Sequence, residues 1–168
     1  MIRDDGGLGR NDPFDLGRFT AAQAGVHDRA LAELRAGRKR SHWMWFIFPQ
    51  IDGLGHSATA RHYAIKSLEE ARAYLDHPLL GPRLRECAEA VLAVDGRSAA
   101  EVFGYPDDLK LWSCMTLFAR VSAPESVFAR VLDRYFHGAQ DAGTLQIVQR
   151  IAREQGKEPD PPEGSGPA

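Results

Sequence analysis

The chain has 168 residues, 43% of them hydrophobic and 26% charged, with a formal net charge of -2. That length supports one domain with a real hydrophobic core. The charge balance speaks against a dedicated nucleic-acid binder, which carries an excess of Lys and Arg, and no apolar run approaches the roughly 20 residues a membrane-crossing helix needs.

Residues 1–11, rich in Gly and charge, read as an N-terminal tail that lacks the apolar stretch of a secretory signal. A soluble, cytoplasmic protein is therefore expected, with one domain over residues 12–156. Phe19, Ala22, Val26, Ala30 and Leu34 recur every three or four residues, the spacing that stacks side chains on one face of a long helix. Gly37 is placed to end it in the left-handed conformation. The segment from Ser41 to Gln50 is apolar on every side and cannot lie on a surface as a helix. It is expected as a short buried helix that starts near Ser41 and ends at Pro49, followed by a turn from Ile51 to Gly55.

Farther along, Ser67 with Glu70 and Ser98 with Glu101 have the spacing of capping boxes, and Gly96 and Gly104 flank the second. Leu80, Leu84, Cys87 and Val91 form one apolar stripe, with Pro82 tolerated in its first turn. Leu111, Met115 and Phe118 form another, on a helix from about Asp108 to Arg120. Pro124 opens a helix whose inner face is Val127, Phe128, Val131, Leu132 and Tyr135. Asp141 is the N-cap of a last helix carrying Leu145, Val148 and Ile151. Residues 157–168, mostly Pro, Gly and acid, read as a second tail that cannot offset the entropy of ordering. The fold class expected is all-α, an irregular bundle of about seven to nine short helices with short connections.

Function is sought first in the aromatic segment and its exit loop. Trp43 or Trp45 is placed to stack on a ligand, Gly53 and Gly55 let backbone approach it, and Gln50, His56 and Ser57 offer polar contacts at the mouth. Lys110 would supply charge if its helix lies against this loop. The alternative is a plain core helix whose indole N–H groups find protein partners. Six histidines are present, but none has the spacing of a metal site, and no metal or cofactor is called for. No nucleophile elbow occurs, and Cys87 and Cys114 sit in apolar patterns that suit buried reduced thiols. Arg35, Arg38, Lys39 and Arg40 form the one dense basic patch, read as a solvated face and not as a nucleic-acid surface. His77, before Pro78, is read as a cation meeting the carbonyl end of a helix.

Several ordered motifs together resemble the domain-of-unknown-function family 1810: His42-Trp43-Met44-Trp45-Phe46-Ile47-Phe48-Pro49-Gln50, Gly53-Leu54-Gly55 with Ser57, Tyr63-Ala64-Ile65, Glu70-Ala71 with Tyr74-Leu75 and His77-Pro78, Leu80-Gly81, Val102-Phe103-Gly104 with Asp107, and Lys110-Leu111 with Ser113 and Met115-Thr116-Leu117-Phe118. Cys114 stands where that family often has a second Ser. The resemblance spans about residues 14–150 and implies a small, soluble, all-helical bacterial protein without an assigned reaction. Nothing in the chain looks like the calpain-inhibitory repeat suggested by the label "calpastatin" that some members carry. A looser similarity, to the helical N-glycosidases that act on ADP-ribose and riboflavin precursors, covers the order of elements around Ser67–Tyr74, Leu109–Met115 and Val127–Phe136.

The leading expectation is a binding module for a small anionic or nucleotide-like ligand. One alternative is an N-glycosidase-type hydrolase using a carboxylate from among Asp52, Glu70 and Asp107. The other is a protein-interaction domain with no small-molecule site.

Overall fold

Among the described residues, 11–156, the computed structural model has ten helices and no strand. The C-terminal tail expected from the sequence, and all but the last residue of the N-terminal one, lie outside the described residues. Seven helices have seven residues or more: α1 (Gly17–Gln23), α2 (His27–Arg35), α5 (Leu68–Asp76), α6 (Leu80–Leu92), α8 (Asp107–Arg120), α9 (Val127–Phe136) and α10 (Ala142–Glu154). Three are one or two turns long: α3 (Met44–Ile47), α4 (Ala58–Tyr63) and α7 (Ala99–Phe103).

The expected first long helix is two helices. Gly25 takes a φ of +73° between α1 and α2 and turns the chain. The apolar period runs on through the break because Phe19 on one side and Ala30 and Leu34 on the other all reach the same core. Buried Gln23 fixes the end of α1 by donating from Nε2 to the Phe46 carbonyl at 2.8 Å.

The two expected capping boxes divide. Ser98 and Glu101 form a full one: Ser98 N–H donates to Glu101 Oε1 at 2.8 Å, and Glu101 N–H to Ser98 Oγ at 3.0 Å. Ser67 Oγ does accept from Glu70 N–H at 3.0 Å. The Glu70 carboxylate, however, accepts from Lys66 N–H at 2.9 Å and from Arg18 Nη2 at 2.6 Å, so this box is not reciprocal. Ser126, not Pro124, caps α9. The His77 ring serves the start of α6 and not the carbonyl end of α5. Its Nδ1 accepts from the N–H groups of Leu79 and Leu80 at 3.1 and 3.2 Å, which satisfies free donors at the start of α6.

Helix α8 runs through the centre, with Leu111, Cys114, Met115, Leu117 and Phe118 fully enclosed. It packs against α7, α9 and α10, and α6 packs against α2, α5 and α9. No helix of the described residues is long and apolar enough to cross a membrane.

Both cysteines are free and buried. Burial pushes the Cys87 thiol up to about 12 and raises that of Cys114 as well. The thiolate is the reactive form. Labelling with an aromatic disulfide reagent at pH 8 is therefore expected to be at least about a hundredfold slower in the native protein than in denaturant, where both thiols react. Rapid native labelling of either would show that the core around α6 and α8 opens.

Candidate functional site

The aromatic segment is held by one carboxylate. Glu33, in the last turn of α2, accepts from Arg40 N–H at 2.8 Å, Ser41 N–H at 3.1 Å, Ser41 Oγ at 2.5 Å and Trp43 Nε1 at 2.8 Å. Partial burial alone would raise its pKa, but these hydrogen bonds outweigh that and bring it down to about 2. With its indole N–H so tied, Trp43 is fully enclosed against Phe48, at a ring separation of 6.2 Å. Helix α3, only four residues long, turns the next tryptophan the other way. Trp45 is half-buried and faces the exit loop.

That loop is pinned along its length. Ile65 N–H donates to the Gln50 carbonyl and Asp52 N–H to the Ile65 carbonyl, both at 2.8 Å, which makes a single parallel bridge between Ile51 and Ile65. The aromatic segment thus finds one rung of strand pairing just beyond Pro49. Arg18, 8% exposed in its side chain, ties down the far side of α4 by donating to the carbonyls of His62 at 2.7 Å and Ala64 at 2.8 Å, in addition to its pair with Glu70. Gly53 has a φ of +110°, and a Cβ there would come within 3.1 Å of Ile147 on α10.

Helix α8 brings the charge. Its position against α10 is locked by Asp141, whose Oδ2 accepts from Ser113 Oγ at 2.7 Å and Thr144 Oγ1 at 2.6 Å, and whose N–H donates to Thr116 Oγ1 at 3.0 Å. Asp141 is the residue before α10, as expected, but its carboxylate bonds these hydroxyls and makes no side-chain cap. In the first turn of α8, Asp107 lies 2.8 Å from Lys39 Nζ and 3.4 Å from Lys110 Nζ. The Lys110 ammonium rests 4.6 Å from the centre of the Trp45 ring, a cation–π contact.

These elements enclose a cleft of about 40 Å³ lined by Trp45, Gln50, Gly53, Gly55, Tyr63 and Lys110, among others. Four residues singled out from the sequence, Gln50, Gly53, Gly55 and Lys110, therefore share one cleft. Trp43 does not; it belongs to the core. His56 is exposed and outside the lining, and Ser57 caps α4 by accepting from Ala60 N–H at 3.1 Å. Tyr63 is a wall that chain reading passed over, although it stands in the Tyr63-Ala64-Ile65 motif. Arg18 and Glu33 were missed as organisers, and nothing local in the sequence marks them.

None of the three candidate carboxylates lines the cleft. Glu70 is buried in its pair with Arg18, Asp107 lies between two lysines, and half-buried Asp52 stands outside the lining. The basic patch is broken up: Lys39 is enclosed beside Asp107, and Arg35 lies 3.6 Å from Glu86. Among the described residues no group of three or more His, Cys, Asp or Glu could hold a metal ion. A nucleophile-like series does occur elsewhere. Cys87 Sγ is 3.9 Å from His27 Nδ1, and His27 Nε2 is 3.3 Å from Glu86. Burial keeps that thiol protonated, however, and it joins α2 to α6 without being activated.

A family model described as "Protein of unknown function (DUF1810)" matches residues 13–148. Among solved structures, the crystal structure of the conserved hypothetical protein Rv1873 from Mycobacterium tuberculosis is similar, with 56% sequence identity and a TM-score of 0.81. The match covers 82% of this chain and 99% of that one. No curated protein matches significantly.

Proposed function

The chain belongs to the DUF1810 family of proteins of unknown function, and from that premise we propose that it is a cytoplasmic binding module whose Trp45–Lys110 cleft takes the anionic end of a small, nucleotide-like ligand. The observation that carries this reading is the placement of the Lys110 ammonium over the Trp45 ring in a cleft bordered by Gly53 and Gly55. Lys39 Nζ lies 2.8 Å from the Asp107 carboxylate and Lys110 Nζ 3.4 Å, so Lys110 is the more loosely held of the two ammoniums. Gly53 and Gly55 let the loop lie close against its neighbours, since a Cβ would meet Ile147 at 3.1 Å and Ala60 at 2.8 Å, respectively.

The size of the cleft narrows the ligand class. A volume of about 40 Å³ is little more than the roughly 30 Å³ share of one water, far below the 300 Å³ or more of a site that swallows a whole ligand. A phosphate or carboxylate oxygen seats beside Lys110 while the rest of the molecule lies over the exposed surface of Gly53, Gly55 and His56. Hydrolysis of an N-glycosidic bond would need a carboxylate in the lining, so binding without that chemistry is the better-supported reading. Two reduced, buried thiols suit the cytoplasm.

Thermal melts with inorganic phosphate, pyrophosphate and adenine nucleotides test the proposal. A ligand at a hundred times its dissociation constant adds about 2.7 kcal/mol, a rise in Tm of roughly 5–10 °C for a chain of this size. Lys110→Ala, at a partly exposed position, is expected to keep the fold and lose the rise. Absence of protection by every compound, or protection that survives Lys110→Ala, would remove the basis of the reading.

A further inference from the structure

Ile51, which borders the small cleft, also borders a larger one of about 300 Å³. It lies where the first turns of α5, the end of α8 and the last turns of α10 meet. Leu68, Val148 and Ile151 give it apolar walls, and Arg72 and Arg120 line it too. Both arginines are exposed, and neither guanidinium makes a hydrogen bond or ion pair with another described residue. Glu69 also lines the cleft.

We propose that this cleft is a binding site for a monoanionic carboxylate with an apolar body, a medium-chain or aryl carboxylate of about eight carbons. The volume corresponds to about ten groups of water size and lies at the lower end of small-molecule sites. The body removes its surface from water against Leu68, Val148 and Ile151. The planar guanidinium fork presents two parallel N–H donors to the two oxygens of a carboxylate, a geometry that a lysine cannot supply.

Octanoate is the probe, titrated calorimetrically into the full chain beside 1-octanol and acetate. Octanoate is expected to bind, with 1-octanol at least about tenfold weaker and acetate without measurable binding. Arg72→Gln and Arg120→Gln are each expected to weaken octanoate at least about tenfold, as loss of a charge-assisted hydrogen bond does. Lys110→Ala is expected to leave it unchanged, which separates this cleft from the Trp45 site. The proposal is overturned if octanol binds as well as octanoate, if both arginine variants retain full affinity, or if octanoate does not bind.

Discussion

Glu33→Ala is expected to destabilise the protein by about 3–5 kcal/mol, although Glu33 touches neither cleft. The substitution removes the acceptor from four donors at once. Two of these, the N–H groups of Arg40 and Ser41, lie near the surface and regain water. The indole N–H of Trp43 does not, because the ring is fully enclosed. A buried donor left unpaired costs about 1–3 kcal/mol on its own, and the segment from Arg40 to Trp43 loses the acceptor that its four donors share.

The pH dependence gives a second measure of the same interaction. The folded-state pKa of Glu33 is lowered from 4.5 to about 2. Its contribution is therefore complete above pH 4.5 and is lost as pH falls from 4.5 toward 2. Because the carboxylate is only partly buried, solvent screening holds its worth to about 1–2 kcal/mol. Denaturant melts of wild type and Glu33→Gln from pH 7 to pH 2.5 check both statements. The wild type should lose stability over that window more steeply than the variant, and the two should converge at the acid end. Parallel curves would show that Glu33 contributes little.

Gly81→Ala is the second large expectation, a loss of about 3 kcal/mol or more. A Cβ at this position would sit 2.0 Å from the Leu75 carbonyl oxygen and 2.8 Å from its carbon. Those are backbone atoms of the preceding helix, so no side chain can rotate away. Helix α6 would have to shift against α5, with Leu80 and Leu84 moving in the core. Alanine normally favours a helix over glycine by about 1 kcal/mol, so the sign of the effect is diagnostic. Equilibrium unfolding that finds the variant as stable as the wild type would contradict the close approach of α5 and α6.

The sequence made some of this legible and hid the rest for identifiable reasons. Features set within a few residues could be read: the cap of Ser98 with Glu101, the stripes of α6, α8 and α9, and the glycine turn after the aromatic segment. The proximity of Lys110 to Gln50, Gly53 and Gly55 was readable as a condition, that α8 lie against the loop, and the structure meets it. The break at Gly25 was hidden because both flanking helices face one core and keep one period. Glu70 looked like a capping residue until Arg18, 52 positions earlier, drew its carboxylate away. The choice between Trp43 and Trp45 depended on the phase of a four-residue helix, which Glu33 sets through the turn before it. Long-range polar anchors of this kind leave no local period to detect.

Amide and indole NMR shifts during titration with AMP are the most direct test of anion binding beside Trp45. The Trp45 indole N–H and the Gly53 and Gly55 amides are expected to shift with one common dissociation constant, and Lys110→Ala is expected to abolish all three responses. Saturable shifts confined to other parts of the molecule, or unchanged shifts at these three groups in a variant without Lys110, would contradict it.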